Sequence, residues 1–490
     1  MKKALVLGFA KSGYEACKLL IDKGYKVTLN DYKPLSSDDK ERYETLKKLG
    51  VDFVFGSHPD DLLDASYSYL VKNPGVPIDH KYVLKANSLN IPVINEVELA
   101  FANIDKSLNA KIIGITGTNG KTTTTTLIYE MLKKENPNVL LAGNIGYPLC
   151  SILKDIKKDT IIVMEVSSQQ LENLHTFNPD VAVITNIDKA HLEFFKTYEH
   201  YKYVKGKILQ NSTKDNYCVL NHDDEEVLKL AENAKSKKLY FSKTNNKSTC
   251  YILNDAIYYK DEKMIDLKDI KLRGYHNYEN IMAAIITCEI FNISNDTIIN
   301  ILKTFNGVEH RLEFVRNYNG ISFYNDTEAT NIKCTKIALS SFKEPTILIL
   351  GGYERGPAFT ERSPYMDNVK AIIAIGETKE RAYRYGKSIN KETYKYDSNS
   401  NLIYENSEDR KGVTYEYNEQ NLLVKETDAL GVWKRYTYDG NQVVTVTHSN
   451  GLVENYSYDA MGNIVNESDS NGRTTAYVDD NRNQIINKTD

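Results

Sequence analysis

One tryptophan, eleven prolines and six cysteines are all that 490 residues contain of these types. The cysteines (17, 150, 218, 250, 288 and 334) include no Cys-x-x-Cys pair. Neither a disulfide framework nor a thiolate zinc site is therefore expected, and a reducing cytosol fits best. No apolar run is long enough for a signal-peptide core or a membrane span, so the expectation is a cytoplasmic chain without a membrane partner. The net charge of −4 comes with no long basic block, which removes the usual footprint of a nucleic-acid binder. What is present, 41% hydrophobic and 26% charged residues, is core-forming material for roughly two to four soluble domains.

The most informative stretch is Gly117-Thr118-Asn119-Gly120-Lys121-Thr122-Thr123. It follows the apolar run Lys111 to Ile115, which reads as a buried strand, and precedes Thr124 to Lys134, whose Leu127, Met131 and Leu132 have helical spacing. Glycines let backbone N–H groups turn inward, and a helix N-terminus adds its positive dipole end. Lys121 then reaches the β/γ-phosphates and the Thr122 hydroxyl meets Mg²⁺. The strict motif spacing fails, because Ile115 stands where the first glycine is usual. A bare strand-to-helix turn is the alternative; the Gly-Lys-Thr run favours a nucleoside triphosphate.

Residues 1–105 read as strand–turn–helix units, with strand Ala4–Leu7, turn Gly8–Gly13, helix Tyr14–Lys23 and strand Tyr25–Leu29 leading to Asn30-Asp31. This is half of a dinucleotide-type fold, but Ala10 replaces the middle glycine of the fingerprint. Asp31 at the second strand's tip is placed to read a ribose or base. Residues 106–306 form a larger α/β domain, whose strands Thr160–Glu165 and Val181–Asn186 deliver polar residues at their carboxyl ends, where open α/β sheets bind ligands. A third αβ segment, residues 307–390, contributes the strands Ile321–Tyr324, Thr346–Leu350 and Ala371–Ile375.

Near residue 390 the pattern changes. Tyr394-Lys395-Tyr396-Asp397, Tyr415-Glu416-Tyr417-Asn418, Tyr436-Thr437-Tyr438-Asp439 and Tyr456-Ser457-Tyr458-Asp459 recur every 20 to 21 residues, and Tyr477-Val478-Asp479 begins a degraded fifth copy. Asn/Gly turns followed by alternating runs lie between them. Such a period predicts one β-hairpin per repeat, each stacked on the next, over residues 391–490.

Three positions complete the chemistry. Glu165 closes a strand, His191 follows Thr185-Asn186-Ile187-Asp188, and Lys205 lies 14 residues beyond His191. A carboxylate and an imidazole at strand ends can hold Mg²⁺ beside a triphosphate, in a shell begun by Thr122. Taken singly, Glu165 reads as a solvated cap and His191 as a surface residue; the phosphate loop shifts the balance toward metal ligation.

With these motifs in this order, residues 1 to about 390 resemble the Mur ligases. Besides the phosphate loop, the resemblance is carried by Gly143-Asn144-Ile145-Gly146, Glu165 to Leu171, His191-Leu192-Glu193, His276 to Asn280, His310 to Glu313, Asp326 to Asn331 and Gly351 to Gly356. It implies an α/β three-domain architecture: a Rossmann-like UDP-binding domain, a central P-loop ATPase domain and a truncated Rossmann-like third domain, followed here by the all-β repeat tail. The Asp-x-x-Ala-Thr-Asn segment favours the branch that adds D-glutamate to UDP-N-acetylmuramoyl-L-alanine in peptidoglycan precursor synthesis.

The implied chemistry is ATP-dependent amide formation through an acyl phosphate, by a monomer. By position, the resemblance implies that Thr122 and Glu165 hold one Mg²⁺ and that His191 and a carbamylated Lys205 serve a second. It further implies that Asn277, Arg311 and Asp326 meet ATP, that Asn144 and Ser167 meet the sugar peptide beside Ser12 and Asp31 in the first domain, and that Thr330 and Arg355 meet the D-glutamate carboxylates.

The sequence also departs from the family. Glu193 stands where Asp is usual and Glu328 where many members have Lys, and the family's Ser-Pro-Ala-x-Ala-Ser-type loop is not found. In its place comes the tyrosine repeat, which resembles the YD repeats of Rhs-type proteins. Losing the last strands of the third sheet is expected to leave an open edge and uncovered helix faces. Three readings follow: a working ligase with a fused tail, a ligase-derived chimera that binds ATP and UDP-sugar but ligates poorly, and a repeat module whose partner is unknown.

Overall fold

The computed structural model describes residues 2–329, 332–353, 359–479 and 485–489, and the chain divides into two compact units, Met1–Asp326 and Thr327–Asp490. The first unit opens with a parallel sheet of β1 (Lys3–Leu7), β2 (Lys26–Asp31), β3 (Asp52–Phe55), β4 (Tyr67–Lys72) and β5 (Val93–Ile94), in the order β3-β2-β1-β4-β5. The order reverses between β1 and β4, a switch point whose carboxyl end is the ligand crevice of such sheets.

The second sheet holds β6 (Lys111–Thr116), β7 (Val139–Gly143), β8 (Ile161–Glu165), β9 (Val181–Ile184), β10 (Tyr217–Asn221), β11 (Lys237–Ser242), β12 (Cys250–Leu253), β13 (Ala256–Tyr259) and β14 (Glu262–Asp266). Its order is β14-β13-β12-β11-β10-β9-β6-β8-β7, parallel from β7 to β12 and closed by an antiparallel meander. Both faces of β8 and β9 are covered, which is why they are apolar without alternation and buried throughout. One continuous core joins the two sheets, where the helix Glu96–Phe101 packs on Leu149–Ile152. The unit ends with a hairpin of β15 (Glu313–Tyr318) and β16 (Ile321–Asn325).

The second unit contains one twelve-stranded sheet. Its β17 (Thr346–Gly351), β18 (Val369–Ile375) and β19 (Glu392–Tyr396) run parallel, as in an α/β domain, with the helix Lys379–Ser388 crossing between β18 and β19. From β19 onward every pairing is antiparallel, through β20 (Leu402–Asn406) and eight further strands to Ile485–Thr489.

Here the structure corrects the expectation of an open edge. The first tyrosine repeat is itself β19, paired with β18 on one side and β20 on the other, so the repeat array continues the third sheet. Lys395 bolts this junction. Its Nζ lies 2.6 Å from Glu380 and between the rings of Tyr383 (4.5 Å) and Tyr404 (5.4 Å).

Two positions of the repeat's consensus have a plain physical cause. The Asp or Asn after the second tyrosine folds the turn: Oδ1 of Asp397 accepts from the N–H of Asn399 and Asn401, and Oδ1 of Asp459 from Met461 and Asn463, all at 2.8–2.9 Å. The second tyrosine ties back to the preceding hairpin. Tyr417, Tyr438 and Tyr458 donate to the carbonyls of Leu402, Leu423 and Val443, at 3.1, 2.6 and 2.7 Å. Each hairpin is thus held by its successor, as nearest-neighbour repeat stability requires.

Candidate active site

The loop from Gly117 to Gly120 bridges β6 and the helix Lys121–Glu135. Two of its glycines are demanded by geometry. Gly117 (φ +152°) passes so close to Thr185 that a Cβ would lie 1.9 Å from its hydroxyl, and a Cβ on Gly120 (φ +82°) would lie 2.1 Å from Asn280 Oδ1.

The segment after β9 fastens the loop. Thr118 N–H donates to Asn186 O (2.8 Å) and Asn119 N–H to Asn186 Oδ1 (2.9 Å), while the Thr185 hydroxyl donates to Asn119 O (2.6 Å). The Thr118 hydroxyl accepts from Asp188 N–H (2.8 Å) and touches the Tyr201 hydroxyl (2.9 Å). Thr122 and Thr123 lie in the first helical turn, where Thr122 O accepts from Thr126 Oγ1 at 2.8 Å.

Two amines converge on one carbonyl. Lys121 Nζ donates to Gly117 O (3.1 Å) and Thr118 O (3.0 Å); Lys205 Nζ, from the helix Tyr198–Gly206, donates to the same Gly117 O (2.8 Å) and to Thr116 Oγ1 (2.9 Å). Lys205 is 1% exposed. Burial, reinforced by the charge of Lys121 and opposed by that of Glu165, holds its pKa well below the usual lysine range.

Glu165 ends β8 and is also 1% exposed. Its Oε1 accepts from Asn144 Nδ2 at 2.7 Å; its Oε2 is buried with no hydrogen-bond partner among the described residues. His191 adopts φ +52° at the start of the helix Leu192–Phe195, is half-exposed, and lies 3.6 Å from Glu193.

A cavity of about 390 Å³ gathers Lys121, Asn144, Ser167, His191 and Lys205, with Pro74 and Gly75 from the first sheet and Tyr201. Other expected positions lie apart from its walls. Ser12 donates to Asn73 Oδ1 (2.8 Å), and Asp31 accepts from the N–H groups of Phe9 (2.7 Å) and Lys33 (2.9 Å), so both shape the glycine turn after β1. Asn277 is buried, donates to Arg273 O and accepts from Asn280 Nδ2 (2.9 Å). Asn280 also accepts from Thr124, which links Asn277 to the phosphate loop's helix.

Asp326 accepts from Leu312 N–H at 3.0 Å; burial raises its pKa, against that bond and the nearby Arg311 charge. Thr330 and Arg355 lie outside the described residues. Among the described residues no three His, Cys, Asp or Glu side chains converge as a metal cluster, and no helix is long and apolar enough to cross a membrane. Asn186, Tyr201 and Asn280 are not among the expected site residues; Asn186 and Asn280 lie within Thr185–Asp188 and His276–Asn280, whereas no motif contains Tyr201.

Comparisons with known proteins agree in direction. Residues 115–288 match the Mur ligase middle domain, and residues 436–474 match the RHS repeat. A UDP-N-acetylmuramoylalanine–D-glutamate ligase of Geobacillus sp. (strain WCH70) is 41% identical over 437 residues, 89% of this chain and 94% of that protein. One of Bacillus pumilus (strain SAFR-032) is 45% identical over 387 residues, 79% and 84% of the two chains. Among solved structures, the UDP-N-acetylmuramate-alanine ligase MurC of Thermotoga maritima superposes with a TM-score of 0.51 at 20% identity, covering 81% of this chain and 90% of its own. At that identity the likeness concerns the fold.

Proposed function

This chain belongs to the Mur ligase family, among the UDP-N-acetylmuramoylalanine–D-glutamate ligases, and on that premise we propose that it joins D-glutamate to UDP-N-acetylmuramoyl-L-alanine with hydrolysis of ATP. The alanyl carboxylate attacks the γ-phosphorus and ADP leaves, giving an acyl phosphate. The D-glutamate amine then adds to the acyl carbon, and inorganic phosphate departs as the amide forms. The division of labour follows the sequence: residues 1–105 hold the uridine nucleotide, 106–306 ATP, 307–390 the amino acid, with 391–490 as tail.

The observation that carries this reading is the buried, unpartnered Oε2 of Glu165, on a residue tied to Asn144, whose side chain lines the cavity beside Lys121. A buried carboxylate oxygen without a partner is costly in a protein alone. It suits Mg²⁺, which takes one or two carboxylates and completes its shell with water and phosphate oxygens. Thr122 and Glu165 would hold one ion, with His191 and Lys205 serving a second. Bound there, Mg²⁺ offsets the negative charge between phosphate and carboxylate.

Lys121 reaches the phosphates by exchanging its contacts with Gly117 O and Thr118 O. Burial pushes the Lys205 pKa well below the usual lysine range and so favours the neutral amine, the form whose lone pair would attack CO₂; carbamylation would then cost that amine a proton and make it an anionic ligand. Asn277, Arg311 and Asp326 are assigned to ATP, Ser12, Asp31, Asn144 and Ser167 to the sugar nucleotide, and Thr330 and Arg355 to D-glutamate. Incubating the full chain with ATP, UDP-N-acetylmuramoyl-L-alanine and labelled D-glutamate should yield labelled sugar nucleotide in step with ADP. Release of ADP without labelled product would overturn the ligase reading in favour of the impaired chimera.

A further inference from the structure

Lys72 closes β4, is 1% exposed, and has no place in the chemistry above. Its Nζ donates to Val76 O at 2.8 Å, and Val76 N–H donates to Asn73 O at 3.0 Å, so the turn Asn73–Val76 is closed from both ends. Pro74 and Gly75 in that turn form one wall of the cavity. The same ammonium lies 5.8 Å from the ring centroid of Phe194. Phe194 belongs to the short helix entered from His191, whose carbonyl accepts its N–H at 3.0 Å. One buried cation therefore bridges the wall supplied by the first sheet and the segment that presents His191.

A hydrophobic side chain of equal length would fill this space without desolvating a charge. The burial cost is real, since it pulls Lys72 down to about 8 against the opposing charge of Glu172. The contacts that use the ammonium are the hydrogen bond to Val76 and the face of Phe194.

Resting on the ligase reading, we propose that Lys72 is a positioning residue for the sugar nucleotide: it clamps the Asn73–Val76 turn to the helix behind His191 and so fixes the Pro74–Gly75 wall. ATP binding rests on the Gly117–Thr123 loop and Glu165, whose contacts do not involve Lys72 or Phe194.

The test uses the full-length chain with Lys72→Met, Lys72→Arg and Phe194→Leu, reading kcat, the KM of each substrate, and calorimetric binding of UDP-N-acetylmuramoyl-L-alanine. Lys72→Met should raise the KM and Kd for the sugar nucleotide about tenfold or more, the worth of a hydrogen bond from a charged group. The KM for ATP should stay within twofold. Lys72→Arg should recover most of the loss, and Phe194→Leu should add nothing to Lys72→Met, because the two act as a unit. Unchanged sugar-nucleotide binding in Lys72→Met, or equal losses for all substrates with a lowered Tm, would overturn the inference while leaving the ligase reading intact. A wild-type chain that neither binds nor converts the sugar nucleotide would remove both.

Discussion

Stopping the chain after Asn390 should unfold the α/β part of the second unit, whereas stopping after Ser407 should not. The first truncation removes β19, which pairs with β18 from Ala371↔Glu392 to Ala374↔Lys395. Roughly four ladder hydrogen bonds, at about 1 kcal/mol net each, go with it. Thr393, fully buried, is lost, and Ile372 and Ala374, both 0% exposed, gain an open flank. The Lys395 bolt to Glu380, Tyr383 and Tyr404 disappears as well. Together these amount to more than about 5 kcal/mol, the lower end of the stability of an ordinary domain.

The core left behind is small: Leu339, Leu350, Met366, Val369, Ile372, Ala374, Ala382 and Tyr385. Ending at Ser407 keeps β19 flanked by β20, and with it the bolt. Hydrogen exchange read by mass spectrometry reports the outcome directly. Amides of Val369–Ile375 should exchange at the intrinsic rate in the shorter chain and stay protected in the longer one, with β6 and β8 protected in both. Full protection of Val369–Ile375 in the chain ending at Asn390 would refute the idea that the tail completes this sheet.

Gly120→Ala should abolish nucleotide binding and cost roughly 1–3 kcal/mol of stability, because the left-handed φ and the 2.1 Å approach to Asn280 leave no room for a methyl group; calorimetry with Mg²⁺–ATP and thermal denaturation check both. Glu96 gives a pH dependence. It is 4% exposed, accepts from Cys150 N–H, and burial raises its pKa from 4.5 to about 7. A raised folded-state pKa contributes stability that is complete below 4.5 and lost as pH rises through 7, on the order of 3 kcal/mol. Glu96→Gln should therefore flatten the fall in unfolding free energy between pH 5 and 8 measured by denaturant titration; an unchanged slope would contradict the assignment.

Local signals in the sequence survive well in the structure. The apolar run Lys111–Ile115 is β6 to within one residue, and Ala371–Ile375 lies inside β18. The helix expected from Thr124 begins at Lys121, since the left-handed Gly120 serves as its N-cap and lets the glycine loop feed it directly. The tyrosine repeat announced hairpins correctly, because each tyrosine and each Asx turn acts within about one repeat of its own position. The same locality hid the role of β19. Its sequence carries the repeat signature on one strand, while its parallel neighbour β18 is an ordinary apolar run with nothing in it to name the partner.

The site was least legible where distant segments meet. Lys121 and Lys205 stand 84 residues apart, yet both amines donate to the carbonyl of Gly117. No spacing rule links them, because the approach is set by the crossover that returns the chain past β9 to the helix Tyr198–Gly206. Charge on one amine disfavours charge on the other, and their surroundings differ. Lys121 is half-buried at the start of its helix; Lys205 is sealed behind Thr116 and Tyr201. Desolvation therefore falls on Lys205, whose pKa burial and the charge of Lys121 push well below the usual lysine range. A motif supplies the lysine beside the phosphate loop, but only the fold brings a second, buried amine onto the same carbonyl.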